Sequence, residues 1–313
     1  HKVAPALAAG CPVVLKPSPA TPLTALALAG VLEDAGLPRG WLNVVTCTDG
    51  VAPVLITHPG VAMVTFTGSP AVGFSIRSAA PDKKVSLELG NNSPVIIEAD
   101  GDWETAARKI AVAGFSHAGQ SCISTQRIYV HSSLAGAFTD RLVGLVEDLV
   151  LGDPMDETTD VSALISEGDR DRVAAWIEEA EGAGAKVLAG GEVRGGLLAP
   201  TVLSGVLPDM KVCSQEVFGP VVAIATYDQL DEALALANDT RYGLQAAIFT
   251  ASLPVALRAA RELDFGGVLI NEVPTWRADQ MPYGGVRDSG NTREGPHYAV
   301  EEMTERRLVV VQA

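Results

Sequence analysis

Cys122 is the residue whose type and setting best suit a nucleophile. It lies in Gly119-Gln120-Ser121-Cys122-Ile123-Ser124, where small and polar residues leave room for a substrate and for backbone N–H groups that face it. A thiolate is intrinsically nucleophilic, and nearby donors or a helix terminus lower the pKa of a thiol. A small buried cysteine is the alternative, because cysteine outside disulfides is among the most buried residue types.

His117, five residues before Cys122, would suit a Cys–His hydrolase. Nearness in sequence, however, does not place a catalytic base beside its nucleophile.

Glu88 is the candidate general base. It stands near the end of the apolar run Val85-Ser86-Leu87-Glu88-Leu89-Gly90. A carboxylate among apolar neighbours at the end of a strand is expected to have a raised pKa, which suits general-base chemistry. An exposed charge on an edge strand explains the same pattern equally well.

The stretch Phe66-Thr67-Gly68-Ser69-Pro70 is a candidate phosphate site. Its small residues fall where a predicted strand gives way to a helix, and the N–H groups at a helix N-terminus favour an anion. The spacing is not the G-x-G-x-x-G fingerprint, so an ordinary turn is the alternative.

Alternating strand and helix patterns position these residues. Apolar runs typical of strands occur at residues 13–16, 43–46, 63–67, 83–89, 93–98, 126–130, 186–189, 200–203, 221–226, 246–250 and 267–271. Helical patterns occur at residues 23–35, 103–116, 134–150 and 169–182. This alternation predicts an α/β fold with parallel strands, whose ligands bind near the carboxyl ends of the strands. We place a domain boundary near Gly90.

Length and composition limit the classes to which the protein can belong. At 313 residues and 47% hydrophobic composition, the chain is long enough for two globular domains. The net charge of −15 argues against a nucleic-acid partner, and no unbroken apolar stretch reaches the roughly 18 residues of a membrane span. The spacing of the four cysteines suits neither a disulfide framework nor a zinc site, which predicts reduced thiols, no metal and a cytoplasmic protein.

Six motifs, in order along the chain, resemble those of the aldehyde dehydrogenase superfamily. The likeness extends from His1 to Val311. The motifs are Leu15-Lys16-Pro17-Ser18 through Thr21-Pro22, Phe66-Thr67-Gly68-Ser69, Leu87-Glu88-Leu89-Gly90, Gly119-Gln120-Ser121-Cys122, Glu216-Val217-Phe218-Gly219-Pro220 and Pro282-Tyr283-Gly284-Gly285. The resemblance implies an incomplete Rossmann-type cofactor domain at residues 1–89, a second α/β catalytic domain at 90–303 and an oligomerisation strand at 304–313.

The resemblance also implies a mechanism. Cys122 would attack an aldehyde to give a thiohemiacetal, a hydride would leave for the nicotinamide, and Glu88 would activate the water that releases a carboxylic acid. The backbone N–H of Cys122 would form part of the oxyanion hole. Lys2 and Glu294 match a pair that relays protons in some relatives, and an ordinary ion pair is as good an explanation.

NAD or NADP is the cofactor that the resemblance implies. The residues matching its binding site are Lys16, Ser18, Gly68, Ser69, Leu89, Gly90, Glu216 and Phe218. NAD-selective relatives often have an acidic residue shortly after the lysine, where it accepts hydrogen bonds from the adenosine ribose. Pro19 takes that place here, and the segment 16–22 contains no carboxylate. We therefore expect NADP to be accepted and NAD to be usable as well, unless the prolines merely shape a turn.

The chain also departs from the family pattern. The family's oxyanion-hole asparagine and its oligomerisation hairpin would precede His1, so we expect a cut within a longer gene product, and a chain with weak cofactor binding and little turnover. Asn91-Asn92-Ser93 stands where many relatives have Gly-Lys-Ser. A CoA-acylating relative, a cysteine hydrolase and a non-catalytic member of the fold remain alternatives, although Glu88 favours water over CoA.

Substrate and assembly are further expectations. The segment 282–305 looks closest to the lactaldehyde, glyceraldehyde-phosphate and phosphonoacetaldehyde branch. Arg277, in the loop expected at the substrate entrance, would meet an anionic substrate, or else is an ordinary solvated arginine. The apolar segment 306–311 predicts a strand covered by a neighbouring subunit, and hence a homodimer or homotetramer.

Overall fold

A computed structural model describes residues 1–312 and divides the chain into two compact units. The first comprises His1–Glu88, Arg277–Gly284 and the chain from Asn291 onward, and the second comprises Leu89–Trp276 and Gly285–Gly290. Two late segments therefore belong to the first unit, which a single cut near Gly90 does not describe. The functional domains expected at 1–89, 90–303 and 304–313 stay predictions.

The α/β class predicted from the sequence is confirmed. The strands are β1 (Val13–Leu15), β2 (Leu42–Val44), β3 (Met63–Thr67), β4 (Lys84–Glu88), β5 (Pro94–Ile97), β6 (Arg127–His131), β7 (Lys186–Ala189), β8 (Val193–Arg194), β9 (Leu197–Leu198), β10 (Thr201–Ser204), β11 (Val221–Tyr227), β12 (Gln245–Phe249) and β13 (Gly267–Ile270). The helices are α1 (Val3–Ala8), α2 (Leu23–Asp34), α3 (Ala52–Thr57), α4 (Pro70–Ala79), α5 (Trp103–Ala113), α6 (Ala135–Glu147), α7 (Glu167–Gly182), α8 (Lys211–Ser214), α9 (Leu230–Asn238), α10 (Leu253–Glu262) and α11 (Pro296–Glu302).

The first unit contains two parallel strand pairs. β1 pairs with β2 and β3 pairs with β4, and no ladder joins the two pairs within residues 1–312. Because paired parallel strands end at the same edge, Lys16 and the loop after β2 share one edge. The turn at Gly68 and the side chain of Glu88 share another, since Thr67 is in register with Glu88.

The second unit is built on a seven-stranded sheet with helices on both faces. Its strand order is β13-β12-β5-β6-β11-β10-β7, and only the β10–β7 pair is antiparallel. Successive residues of β5 point to opposite faces: Ile97 packs in the cluster with α5 and α6, whereas Ile96 packs in the cluster with α9 and α10. This arrangement matches the continuous apolar runs of the central strands.

Residues 306–312 form no regular element in the single chain. Leu308, Val309, Val310 and Val311 are exposed, at 71–88% of their surface. The strand predicted at 306–311 is not formed in the single chain, and its pairing with a neighbouring subunit stays a prediction. No helix within the described residues is long and apolar enough to cross a membrane.

Arg127 is the buried cation that ties the sheet of the second unit to a helix end. Its Nε donates to the carbonyl of Asn92 at 2.9 Å, and its Nη atoms donate to the carbonyls of Leu236 and Ala237, near the end of α9, at 3.0 and 2.9 Å. A cation at a helix C-terminus stabilises the last carbonyls.

We therefore expect Arg127→Met to lower the free energy of unfolding by about 3 kcal/mol or more, because several buried carbonyls lose their donors together. Urea denaturation measures this loss. Arg108→Met, on the outer surface of α5 with a side chain 51% exposed, is the matched control and should change stability by about 0.5 kcal/mol or less. Equal losses in the two variants would contradict the structural role of Arg127.

Candidate active site

Glu88 is a buried carboxyl at the end of β4. The residue is 3% exposed, and neither carboxyl oxygen has a hydrogen-bond partner among the described residues. Burial, reinforced by the charge of Glu294, raises the pKa of Glu88 to about 8, against the opposing charges of Lys2, Arg277 and Arg293. A carboxyl that titrates near neutral pH can take a proton from water, which is what a general base requires.

A second carboxyl in the same unit is held in its charged form. Glu294 accepts hydrogen bonds from Lys2 Nζ at 3.2 Å and from Arg277 Nη2 at 2.8 Å. Burial would raise the pKa of Glu294, but the two cations outweigh it and lower that pKa. The environments of Glu88 and Glu294 therefore separate their pKa values, a pattern typical of acid–base sites.

Arg277 is not a solvated loop residue. Its side chain is 21% exposed, is paired with Glu294 and lies 3.8 Å over the ring centroid of Tyr283. This pairing cannot be predicted from the sequence, because the partner carboxylate follows 17 residues later in a segment without strong periodicity. The Lys2–Glu294 pair is also formed, and its role as a relay stays a prediction.

Lys16 and Ser18, which the sequence predicts at the adenosine ribose, lie at the shared edge of β1 and β2. Lys16 Nζ donates to Asp49 Oδ1 at 3.0 Å and to the Pro17 carbonyl at 3.1 Å. Ser18 Oγ accepts from the Ala20 N–H at 3.3 Å. A cavity of about 280 Å³ lies here, close to the lower limit for small-molecule sites. It is lined by Pro17, Ser18, Pro19, Pro22, Thr46, Cys47 and Thr48.

Asp49 is a residue that the sequence analysis missed. The search for a carboxylate covered only residues 16–22, whereas Asp49 follows 33 residues after Lys16, in the loop after β2. The parallel pairing of β1 and β2 was the signal that could have found it, because loops that follow paired parallel strands meet at one edge.

The turn at Gly68 and Ser69 joins β3 to α4, as the sequence pattern predicts. Ser69 Oγ accepts the Val72 N–H at 3.5 Å and so caps α4. The Gly68 N–H donates to the Glu88 carbonyl at 3.1 Å, which fixes the turn to the end of β4. A role toward phosphate stays a prediction.

In the second unit, Ser289 clamps the turn at Leu89 and Gly90. The Leu89 N–H donates to the Ser289 carbonyl at 3.0 Å, and Ser289 Oγ donates to the Gly90 carbonyl at 2.6 Å. Ser289 Oγ also accepts the Gly243 N–H at 2.8 Å. Ser289 is fully buried and was not among the predicted site residues.

Glu216 lies against this turn. Its Oε1 accepts the Asn91 N–H at 3.0 Å, and a Cβ atom on Gly90 would collide with its carboxylate. Burial raises the pKa of Glu216 to about 7. The Asn91 carboxamide donates to Ser93 Oγ at 2.8 Å and to the Gln245 carbonyl at 3.2 Å, so the departure Asn91-Asn92-Ser93 is a buried polar network that holds the turn.

Phe218, the other residue predicted on the nicotinamide side, follows Glu216 by two positions. Its backbone is left-handed with a φ of 49°, and its side chain is partly exposed at 39%. An aromatic ring so exposed is available for contact with a ligand, and that role stays a prediction.

Cys122 follows a left-handed backbone run. His117, Ala118 and Gly119 have φ angles of 55°, 54° and 70°, and a Cβ on Gly119 would collide with the carbonyl of Gly219. Gln120 Oε1 accepts the Ile165 N–H at 2.8 Å, which anchors the loop. Cys122 is half-buried, not fully buried as its alternative interpretation requires.

The other cysteines differ from Cys122. Cys213 is buried, and its burial raises the pKa of its thiol to about 11, so it is a poor nucleophile at neutral pH. Cys11 and Cys47 are half-buried. Within residues 1–312, no group of three or more His, Cys, Asp or Glu side chains could hold a metal ion.

Comparison with known sequences identifies the family. The model of the aldehyde dehydrogenase family matches residues 1–309. The chain belongs to the aldehyde dehydrogenase family. The resemblance carried by the six motifs is thus confirmed, and the residues described above are those of an aldehyde dehydrogenase family member.

Individual relatives agree with this assignment. The chain is 52% identical to 3-sulfolactaldehyde dehydrogenase of Priestia aryabhattai, over 99% of the chain and 65% of that relative's length. The NAD-dependent aldehyde dehydrogenase of Sinorhizobium meliloti superimposes with a TM-score of 0.95 at 40% identity, covering 97% of this chain and 62% of that one. Glyceraldehyde-3-phosphate dehydrogenase of Methanocaldococcus jannaschii, complexed with NADP, gives 0.93 at 40% identity, covering 97% and 67%.

The raised pKa of Glu88 predicts a pH-dependent cost to stability. The folded state keeps the Glu88 proton up to about pH 8, whereas an unfolded chain releases it near the ordinary value of 4.5. The stability that the protonated group contributes is therefore complete below pH 4.5 and is lost as pH rises toward 8, by at most about 1.4 kcal/mol per pH unit.

We expect Glu88→Gln to gain stability relative to the unsubstituted protein as pH rises from about 5 to about 8, because glutamine has no proton to lose. Urea denaturation at a series of pH values measures the difference. Glu216 titrates in both proteins and cancels, and Glu33→Gln, on exposed α2, is the control. A pH-independent difference for Glu88→Gln would show that Glu88 is ionised throughout.

Proposed function

We propose that the protein oxidises an aldehyde to a carboxylic acid, with Cys122 as the nucleophile and Glu88 as the base that activates water. The observation that carries this proposal is the Glu88 carboxyl, which is buried with no hydrogen-bond partner among the described residues and has a pKa raised to about 8. A relative that passes its acyl group to CoA has no need of such a base.

The chain's own residues account for the proton and acyl chemistry. The Cys122 thiolate attacks the aldehyde carbon and forms a thiohemiacetal, which becomes a thioester when the carbon loses a hydride. A bound nicotinamide dinucleotide supplies the hydride acceptor. Glu88 takes a proton from water, the hydroxide attacks the thioester carbon, and the carbon–sulfur bond breaks to release the acid and the thiolate. Lys2 and Glu294 pass the proton on, since Lys2 retains 26% side-chain exposure.

NAD or NADP fits the residues present. Lys16 and Ser18 are proposed at the adenosine ribose, where the cavity of about 280 Å³ lies, and Gly68 and Ser69 at the pyrophosphate. The nicotinamide half is assigned to Leu89, Gly90, Glu216 and Phe218. The close approach of Gly90 to the Glu216 carboxylate supports this assignment, because a Cβ atom on residue 90 would displace that carboxylate. The names of solved relatives include both cofactors.

The substrate is proposed to be a short aldehyde with an acidic or hydroxyl group. Two cations, Lys2 and Arg277, pair with the carboxylate of Glu294, and the charge of Arg293 also acts on Glu88. Cations gathered in this way favour an anionic substrate. The name 3-sulfolactaldehyde dehydrogenase, carried by a relative at 52% identity, is consistent with that class.

We also propose a cytoplasmic homodimer or homotetramer, assembled through residues 306–311. An apolar segment exposed along its whole length needs a partner, and strand addition supplies one. Reduced cysteines suit the cytoplasm.

Glu88→Gln should reduce steady-state turnover by about 10²–10⁴-fold while leaving a single-turnover burst of reduced cofactor, because only deacylation needs the base. Stopped-flow absorbance at the reduced-cofactor band measures both phases. In the unsubstituted protein the deacylation rate should rise with pH to a plateau above about 8, where Glu88 is ionised. Undiminished turnover in Glu88→Gln would remove Glu88 as the base.

Cys122→Ala should abolish both the burst and the steady-state rate, since no other thiol can replace it. Cys11→Ala is the matched control, a half-buried cysteine outside the proposed cofactor cavity that should retain the burst. Aldehyde oxidation by Cys122→Ala would overturn the mechanism.

Val310→Glu should shift the protein toward monomer, because a charge in the middle of the apolar segment opposes strand pairing. Light scattering measures the mass in solution, with Gln312→Glu as the control at the edge of the segment. A monomeric unsubstituted protein would contradict the proposed assembly.

A further inference from the structure

We infer that Asp49 makes the protein discriminate against NADP in favour of NAD. The inference rests on the proposed function, since it assigns a residue to the adenosine side of the same cofactor site. It replaces the expectation drawn from residues 16–22, in which no carboxylate was found.

The geometry brings Asp49 to the place where a ribose-binding acid is needed. β1 and β2 are parallel and in register from Val13 and Leu42 to Leu15 and Val44, so both strands end at one edge. Lys16 follows β1 directly, and Asp49 lies in the loop after β2. The two side chains meet there, with Lys16 Nζ 3.0 Å from Asp49 Oδ1.

The cavity beside this pair is formed by the same two loops. Pro17, Ser18 and Pro19 line it from the segment after β1, and Thr46, Cys47 and Thr48 line it from the segment after β2. Lys16 and Asp49 flank these lining residues in sequence on either loop. A ligand in the cavity therefore lies beside one cation, Lys16, and one carboxylate, Asp49.

The chemistry of the pair suits an unmodified ribose. An ammonium donates to one hydroxyl, and a carboxylate accepts from a hydroxyl, so the pair satisfies a 2′,3′-diol. A 2′-phosphate adds about 1.5–2 negative charges and has no proton to offer the carboxylate at neutral pH. The carboxylate also neutralises Lys16, which would otherwise attract that phosphate.

The exposure of the Asp49 side chain limits how strongly it can repel a 2′-phosphate. The Asp49 side chain is 83% exposed, whereas that of Lys16 is 17% exposed, so water and salt screen the repulsion. Two unit charges about 4 Å apart in water interact by only about 1 kcal/mol, and a phosphate carries up to about twice the charge of a carboxylate. We expect a preference for NAD of about tenfold in dissociation constant at low ionic strength.

The test is calorimetric titration of the protein with NAD and with NADP, which measures binding without turnover. The variants are Asp49→Asn, which keeps the shape and removes the charge, and Asp34→Asn, an exposed control with the same charge change at the end of α2. Each titration is made at low and at high salt. Asp49→Asn should lower the dissociation constant for NADP about tenfold and change that for NAD less than threefold.

The outcomes separate the inference from the proposed function. A preference for NAD that disappears in Asp49→Asn, persists in Asp34→Asn and shrinks with added salt supports the role of Asp49. Binding of both dinucleotides with a ratio unchanged by Asp49→Asn, or a ratio insensitive to salt, overturns that role and leaves the cofactor site intact. Failure of both dinucleotides to bind overturns the proposed function and the inference with it.

Discussion

The cost of burying a carboxyl group is the constraint on which the candidate site depends. Glu88 is 3% exposed and is not hydrogen-bonded within the described chain, so desolvation outweighs the neighbouring cations and raises its pKa to about 8. Glu294 is buried as well, but its two ion pairs, with Lys2 and Arg277, keep it charged. Two carboxyls in one unit thereby acquire opposite protonation preferences.

Strand geometry determines which distant residues can act together. The parallel pairs of the first unit bring Lys16 to Asp49, and Gly68 to the end of β4, although each pair is separated in sequence by a helix. In the second unit a serine from a late segment fixes the turn at Gly90. The local sequence provides the chemical groups, and the pairing of the strands determines which of these groups lie next to one another.

Sequence reasoning recovered what depends on local pattern and composition. Alternating apolar runs predicted the α/β class, every strand of three or more residues, and helices α2, α5, α6 and α7. The setting of Glu88 suggested a buried carboxyl at the end of a strand, with an exposed charge on an edge strand as the alternative. It missed Asp49 and Ser289 because their partners are far away in sequence. It left Arg277 as either a contact for an anionic substrate or a solvated arginine, because an ion pair leaves no periodic pattern in the sequence. The buried network around Asn91 was visible only as an unexplained departure, since its partners are backbone carbonyls whose positions the sequence does not encode.

The left-handed run before Cys122 has a consequence for how this segment tolerates change. His117 and Ala118 both carry a side chain in a region that costs roughly 1–2 kcal/mol per residue for L-amino acids. That strain is held by the packing of Gly119 against Gly219 and by the anchor at Gln120. Backbone conformation therefore limits which residues positions 117 and 118 accept, independently of substrate chemistry. Glycine and asparagine adopt the left-handed conformation at little cost, whereas β-branched residues and proline do not.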